Sequence, residues 1–149
     1  MIVRPLEGKD IPACIHLGAR MHEESDYRDM EYSPEKLVSL GRMSIVNDNH
    51  VWFVAEEAGE IVGLMGGYVT PVWFGDGTVA LDHAVYVPPE NRGGLAFIKL
   101  VKAFHSWAKE HGAHKMILSN SAAINSEKVE ELFSRLGLEK TGVIFRGNI

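Results

Sequence analysis

Cysteine is almost absent from this chain: Cys14 stands alone among 149 residues. A single thiol excludes an internal disulfide and fits a reducing, cytoplasmic compartment. Basic residues are also in deficit, 15 Lys and Arg against 20 Asp and Glu, for a formal net charge of −5. A protein that wraps nucleic acid needs a basic footprint, so no nucleic-acid partner is expected. No apolar run approaches the ~20 residues of a membrane span, and the opening MIVRPLEGKD is no secretion signal, so no membrane partner is expected either. His105, His111 and His114 have no carboxylates or thiols at ligand spacing, so no metal is expected. What is present is ordinary: 46% hydrophobic and 23% charged residues, a globular composition. A chain of this length buries roughly two-thirds of its surface on folding, enough for a core without staples. No repeat, low-complexity tract or linker divides it, and residues 1–149 read as a single domain.

The periodicities alternate along the chain. Ile2 to Arg4 reads as a strand halted by Pro5, and Asp10 with Pro12 as the start of a helix that runs to about Met21. Ile11, Cys14, Ile15 and Gly18 mark its core face, so Cys14 is expected to be a buried thiol rather than a nucleophile. Ser33-Pro34-Glu35 opens a second helix that reaches roughly Val46. The runs 51–55 and 61–65 flank Glu57-Ala58-Gly59-Glu60, the signature of a hairpin. Phe74-Gly75-Asp76-Gly77 is a second turn, and a strand from about Val79 to Val87 ends at Pro88-Pro89. Phe97, Val101, Phe104 and Ala108 mark a helix closed by Gly112, and 115–118 a short strand. Asn125-Ser126 opens a last helix, closed by Gly137, and 138–145 supplies one or two final strands. The order β-αα-βββ-α-β-α-β specifies an α/β domain with an antiparallel middle and a parallel crossover.

The stretch from Val85 to Ala96 carries the chemistry. It is a strand, a Pro/Gly turn and a helix start. Helix starts present unpaired N–H groups and the positive end of the dipole, which together bind anions. Gly93 and Gly94 remove the Cβ atoms that would keep a ligand off the backbone. Arg92 adds a fork of donors suited to phosphate. The segment 92–97 therefore predicts a phosphate-bearing ligand, against a plain tight connection as the alternative. It is not a P-loop, because Leu95-Ala96 follows Gly94 where Lys-Ser/Thr is needed. Nor is it a dinucleotide GxGxxG, since the third glycine is missing.

These residues resemble the GNAT N-acetyltransferases. The family signature Gln/Arg-x-x-Gly-x-Gly/Ala follows a strand ending in Val-x-Pro. Here Asn91-Arg92-Gly93-Gly94-Leu95-Ala96 follows Val87-Pro88-Pro89-Glu90, with Asn91 in place of the usual Gln or Arg. Ile2-Val3-Arg4-Pro5 with Asp10, the hairpin 58–63, and Asn125 through Leu132-Phe133-Ser134-Arg135-Leu136-Gly137-Leu138 resemble other family segments in the same order. The resemblance covers nearly the whole chain and implies the GNAT fold, a mixed and mostly antiparallel sheet with helices on both faces.

It further implies acetyl-CoA as cosubstrate. The pyrophosphate would lie on Arg92, Gly93, Gly94, Leu95, Ala96 and Phe97 beside Asn91, the pantetheine along Val85, Tyr86 and Val87, and Asn125 against the pantetheine arm. The reaction implied is direct attack by a primary amine in a ternary complex, the amine belonging to a small molecule or a protein. His83 has the pKa of a general base and stands two residues before the pantetheine stretch; a buried packing histidine is the competing reading. Asp82 is the reserve base. Strict alternation would put Leu81, His83, Val85 and Val87 on one side of the strand and Asp82, Ala84 and Tyr86 on the other. Phe133 replaces a tyrosine that donates to the leaving thiolate in many family members, which leaves Tyr86, Ser119, Ser121 or water as the donor, or a thiolate that departs unaided. The acidic, tyrosine-rich segment with Glu23, Tyr27 and Tyr32 would wall the acceptor site, or serve as a solvated loop. Trp73 would close the site from the opposite side, cover an edge, or meet a second copy in a homodimer. A CoA-binding module without catalysis is the alternative function, favoured by Phe133 and Asn91.

Overall fold

The computed structural model describes residues 1–149. Five strands lie in the sheet in chain order: β1 (Ile2–Pro5), β2 (His50–Glu57), β3 (Glu60–Pro71), β4 (Thr78–Tyr86) and β5 (Lys115–Ile117). The first four are antiparallel, and β5 joins β4 in parallel after a helical crossover. The helices are α1 (Ile11–Glu24), α2 (Pro34–Val46), α3 (Ala96–Glu110) and α4 (Ser126–Arg135). Leu100, Val101, Phe104 and Ala108 of α3 pack on one sheet face with Phe53, Met65 and Ala80. Cys14 and Leu17 of α1 cover the other face with Trp52, Val54, Leu64 and Tyr86. No helix is long and apolar enough to cross a membrane.

Two neighbouring glycines let both layers approach β3. A Cβ on Gly66 would come within 2.3 Å of the Trp52 indole, and one on Gly67 within 2.6 Å of the Phe104 ring. Opposite them the β3–β4 register slips. Gly66 faces Ala84 and Gly67 faces Asp82, so His83 is an extra residue, a β-bulge. The bulge overturns strict alternation along β4. Ala80, Val85 and Val87 point to the α3 side, whereas Tyr86 lies in the opposite layer and His83 stacks on Trp52 of that layer.

Three further expectations need correction. Asp10 does not cap α1 with its side chain, because the carboxylate is taken by Arg4 (2.6 and 2.9 Å) and by the Glu7 N–H (2.8 Å). Helix α1 runs past Met21 to Glu24. The final strand is absent: residues 138–149 form no helix or strand, and Val143, Ile144 and Phe145 are exposed. The segment has strand-forming residues but no ladder partner, and propensity alone does not hold a strand.

Candidate active site

Strands β4 and β5 pair only over Val79–Leu81 and Lys115–Ile117. Beyond Leu81 they part, and the bulged half of β4 presents an edge with no neighbouring strand. Asp82 fixes this fork, its carboxylate accepting the Ser119 N–H at 3.0 Å. A cavity of about 340 Å³ opens along the free edge. His83, Ala84, Val85, Tyr86 and Val87 form its floor, the 91–98 turn and helix start one end, and Ser119 to Ala122 with α4 the far wall.

The turn end is built to receive an anion. Gly93 has φ +87°, a left-handed backbone that favours glycine. Gly94 borders open space: a Cβ there would meet nothing nearer than the Asn91 carbonyl at 3.8 Å. The first α3 carbonyl-directed bond is made by Lys99, to Leu95, and the amides from Gly93 to Ile98 donate to no protein acceptor. A run of free N–H groups at the positive end of a fifteen-residue helix is the donor set a pyrophosphate needs.

Arg92 lines the cavity but is engaged by the protein. Its Nε donates to the Val87 carbonyl (2.8 Å) and one terminal nitrogen to Glu24 (2.7 Å). The Tyr86 hydroxyl also donates to Glu24. Burial pushes the Glu24 carboxyl up, but these two donors outweigh it and hold its pKa below the usual range. Burial and the same carboxylate raise the Tyr86 pKa well above its ordinary value, so this phenol holds its proton. The cluster ties the end of α1 to the anion turn, as does Arg20 on Glu90 (2.5 Å).

At the other end stands His83, with Asp82 next to it in the chain. His83 faces solvent on one side, and partial desolvation of the ring together with the charge of His50 lowers its pKa. Asp82 is raised to about 6, chiefly by burial. It does not line the cavity. The structure brings into the cavity wall His83, Val85, Tyr86, Val87, Asn91, Arg92, Gly93, Gly94, Leu95, Phe97 and Asn125. Ala96 lies beneath the wall, buried against the core. Glu23, Tyr27, Tyr32 and Trp73 do not line it. Tyr32 donates to the Ile15 carbonyl (2.7 Å), Tyr27 stacks on Arg146, and Trp73 is 94% exposed at the β3–β4 turn. Phe133 packs on Phe97 outside the cavity, whereas Ser119 and Ser121 line it. The wall residues Lys128, Val129, Leu132 and Arg135 were not among the expected site residues. Their i, i+3, i+4 spacing from Asn125 was the signal that α4 turns one face to the site.

The family profile described as "Acetyltransferase (GNAT) family" matches residues 15–137. No curated protein sequence matches significantly. Among solved structures, the transcriptional regulator from Bacillus halodurans C-125 superposes with TM-score 0.81 at 20% identity, covering 99% of each chain. AAC(6′)-Iy in complex with the bisubstrate analog CoA-S-monomethyl-acetylneamine gives 0.78 at 18% identity, covering 99% of this chain and 97% of that one. Glucosamine-6-phosphate N-acetyltransferase from Arabidopsis thaliana gives 0.76 at 20% identity, with 99% and 97% covered. At these identities the superpositions establish the fold, and the profile match across most of the chain establishes the lineage: the protein belongs to the GNAT acetyltransferase family.

Proposed function

We propose that the protein is an acetyl-CoA-dependent N-acetyltransferase that acylates a primary amine by direct attack. The observation that carries this reading is the cavity's polarity: free amides from Gly93 to Ile98 at one end, and His83 at the other. The amides and Asn91 would hold the phosphates, and the unpaired edge from Val85 to Val87 would align the pantetheine as an added strand. Acetyl-CoA supplies the thioester, whose carbon–sulfur bond breaks as the amine nitrogen bonds the acetyl carbon. His83 takes one proton from the incoming ammonium, and the nitrogen's second proton ends on the departing sulfur. Ser119 and Ser121, whose residues line the cavity, would relay it. A thiol pKa near 8.5 makes the sulfur a tolerable leaving group without the tyrosine that Phe133 replaces.

His83→Gln keeps size and polarity but removes the titrating group. Turnover should fall by about 10²-fold with CoA affinity unchanged. The acid limb of the wild-type profile should lie below the ordinary histidine pKa, because desolvation and His50 favour the neutral ring. A folded variant with wild-type turnover and pH profile removes His83 from the reaction. Wild-type protein that binds CoA but acylates no amine in a broad panel is instead the non-catalytic module, the reading that Phe133 favours.

A further inference from the structure

The α4 wall of the cavity carries charge that the reaction itself does not use. The chain has 20 acidic residues, yet none of them lines the cavity, whereas Arg92, Lys128 and Arg135 do. Arg92 is taken by Glu24 and the Val87 carbonyl, which leaves the two cations of α4. That helix sorts its charges by face: Lys128 and Arg135 line the cavity, and Glu127, Glu130 and Glu131 do not. The two cations stand two turns apart on one face. Their heads converge on one carboxylate, Lys128 Nζ meeting one oxygen of Glu131 at 2.7 Å and Arg135 the other at 2.5 Å. Ion pairs that served only the helix would give no reason to keep every acid off the cavity face.

Position along the helix narrows what such a pair can meet. The Phe133 ring packs on Phe97 in the first turn of α3, with centroids 5.7 Å apart. This contact brings the C-terminal half of α4, with Arg135, alongside the helix start whose amides are free. Those amides suit a pyrophosphate. A CoA nucleotide carries a further phosphate on its ribose, a monoester with close to two negative charges at neutral pH. Amides already given to the pyrophosphate do not neutralise it. Two cations on the neighbouring wall do, because exposed ion pairs are held weakly and a dianion outbids the single charge of Glu131. A guanidinium fork beside an ammonium point charge is a donor set for a tetrahedral phosphate.

We propose that Lys128 and Arg135 form a second anion site, on the α4 wall, that takes the ribose phosphomonoester of the CoA nucleotide. This rests on the acetyl-CoA reading and deepens it: the chain selects the phosphorylated carrier over the same thioester without that phosphate. Glu131 holds the two heads together until the phosphate takes its place.

Calorimetric titration with CoA and with dephospho-CoA, which lacks only the ribose phosphate, tests the site without requiring turnover. Wild-type protein should bind CoA about tenfold more tightly than dephospho-CoA. The double variant Lys128→Gln/Arg135→Gln should lose that preference, binding CoA about tenfold more weakly and dephospho-CoA as the wild type does. Both side chains are exposed and glutamine is a good helix former, so the variant folds, and its dephospho-CoA affinity reports an intact cavity. Equal affinity of the wild type for the two ligands overturns the site. So does a preference that survives the double substitution, or a loss that strikes both ligands alike. Binding of neither ligand by the wild type overturns the site and the acetyl-CoA reading together. Acetyl transfer from acetyl-CoA and from its dephospho form separates the two. A CoA preference that needs both cations, in a protein that acylates no amine, sinks the transferase and leaves the site. Transfer with equal kcat/KM from both donors does the reverse.

Discussion

Asp82 and His83 are adjacent in the chain, yet the bulge sends them to different tasks. His83 turns toward the Trp52 ring and the cavity, where its lowered pKa keeps the ring in the neutral form that a general base needs. Asp82 turns toward the α3 side, because its partner Gly67 would carry a Cβ directed at Phe104. Its carboxylate holds the Ser119 amide where β4 and β5 diverge, which makes it a positioning residue for the fork. Burial raises its pKa to about 6 against an ordinary 3.8, with the Ser119 amide opposing the rise. A raised carboxyl contributes stability that is present below the unfolded pKa and lost as pH rises through about 6. Asp82→Asn keeps the oxygen acceptor and removes the charge. It should therefore stabilise the protein by about 1–3 kcal/mol at pH 8 and not at pH 4, measured from denaturation midpoints. A wild type more stable than the variant at pH 8 would mean that the charge-assisted bond to Ser119 outweighs desolvation.

At the scale of elements, one half-buried ionic cluster joins strand to helix. Arg4 of β1 donates to Asp10 before α1 (2.6 and 2.9 Å) and to Glu56 of β2 (2.8 and 3.0 Å). Asp10 is 5% exposed, and Arg4 holds its carboxyl below the usual range. Arg4→Gln would leave that carboxylate buried without its cation, a loss of about 3 kcal/mol at neutral pH. The melting temperature should drop by about 6–12 °C, given 2–4 °C per kcal/mol for a chain of this size. The depressed carboxyl contributes stability above its ordinary pKa, which is lost in acid, so the difference should shrink as pH falls below 4. A pH-independent difference would place the effect in lost packing of the Arg4 stem. This cluster also shows what sequence patterns leave out. Asp10 before Pro12 has the pattern of a helix cap, but tertiary pairing with Arg4 claims its oxygens. The helices were legible because caps, Pro and Gly punctuate a 3.6-residue period at Ser33-Pro34, Gly112 and Gly137. The anion turn was legible because Gly93 and Gly94 sit between a strand and a helix. The bulge at His83 was not, because it depends on which β3 residues lie opposite. The expected last strand failed for the converse reason: residues 138–145 have the composition but no partner.

Across the whole molecule, two halves of the fold meet at the cavity: the antiparallel sheet with α1 supplies its floor, and the crossover helix α3 supplies the amides. Strong binding at that seam should be felt globally. A ligand that binds only the folded state stabilises it by RT ln(1 + [L]/Kd), about 2.7 kcal/mol at a hundredfold excess over Kd. Acetyl-CoA at that excess should thus raise the melting temperature by about 5–10 °C. Gly94→Glu separates this effect from the fold itself. Gly94 borders open space and has no left-handed backbone, so the added side chain has room in the free protein. The melting temperature without ligand should therefore stay within about 1 °C, as for an ordinary surface substitution. The new carboxylate, however, enters the space in front of the free amides from Gly93 to Ile98. It competes there for the positive helix end and repels a pyrophosphate. The ligand-induced rise should disappear in Gly94→Glu and persist in Trp73→Ala, whose ring lies outside the cavity. A full rise in the Gly94→Glu protein would show that the phosphates bind elsewhere, and the free amides would then need another anion.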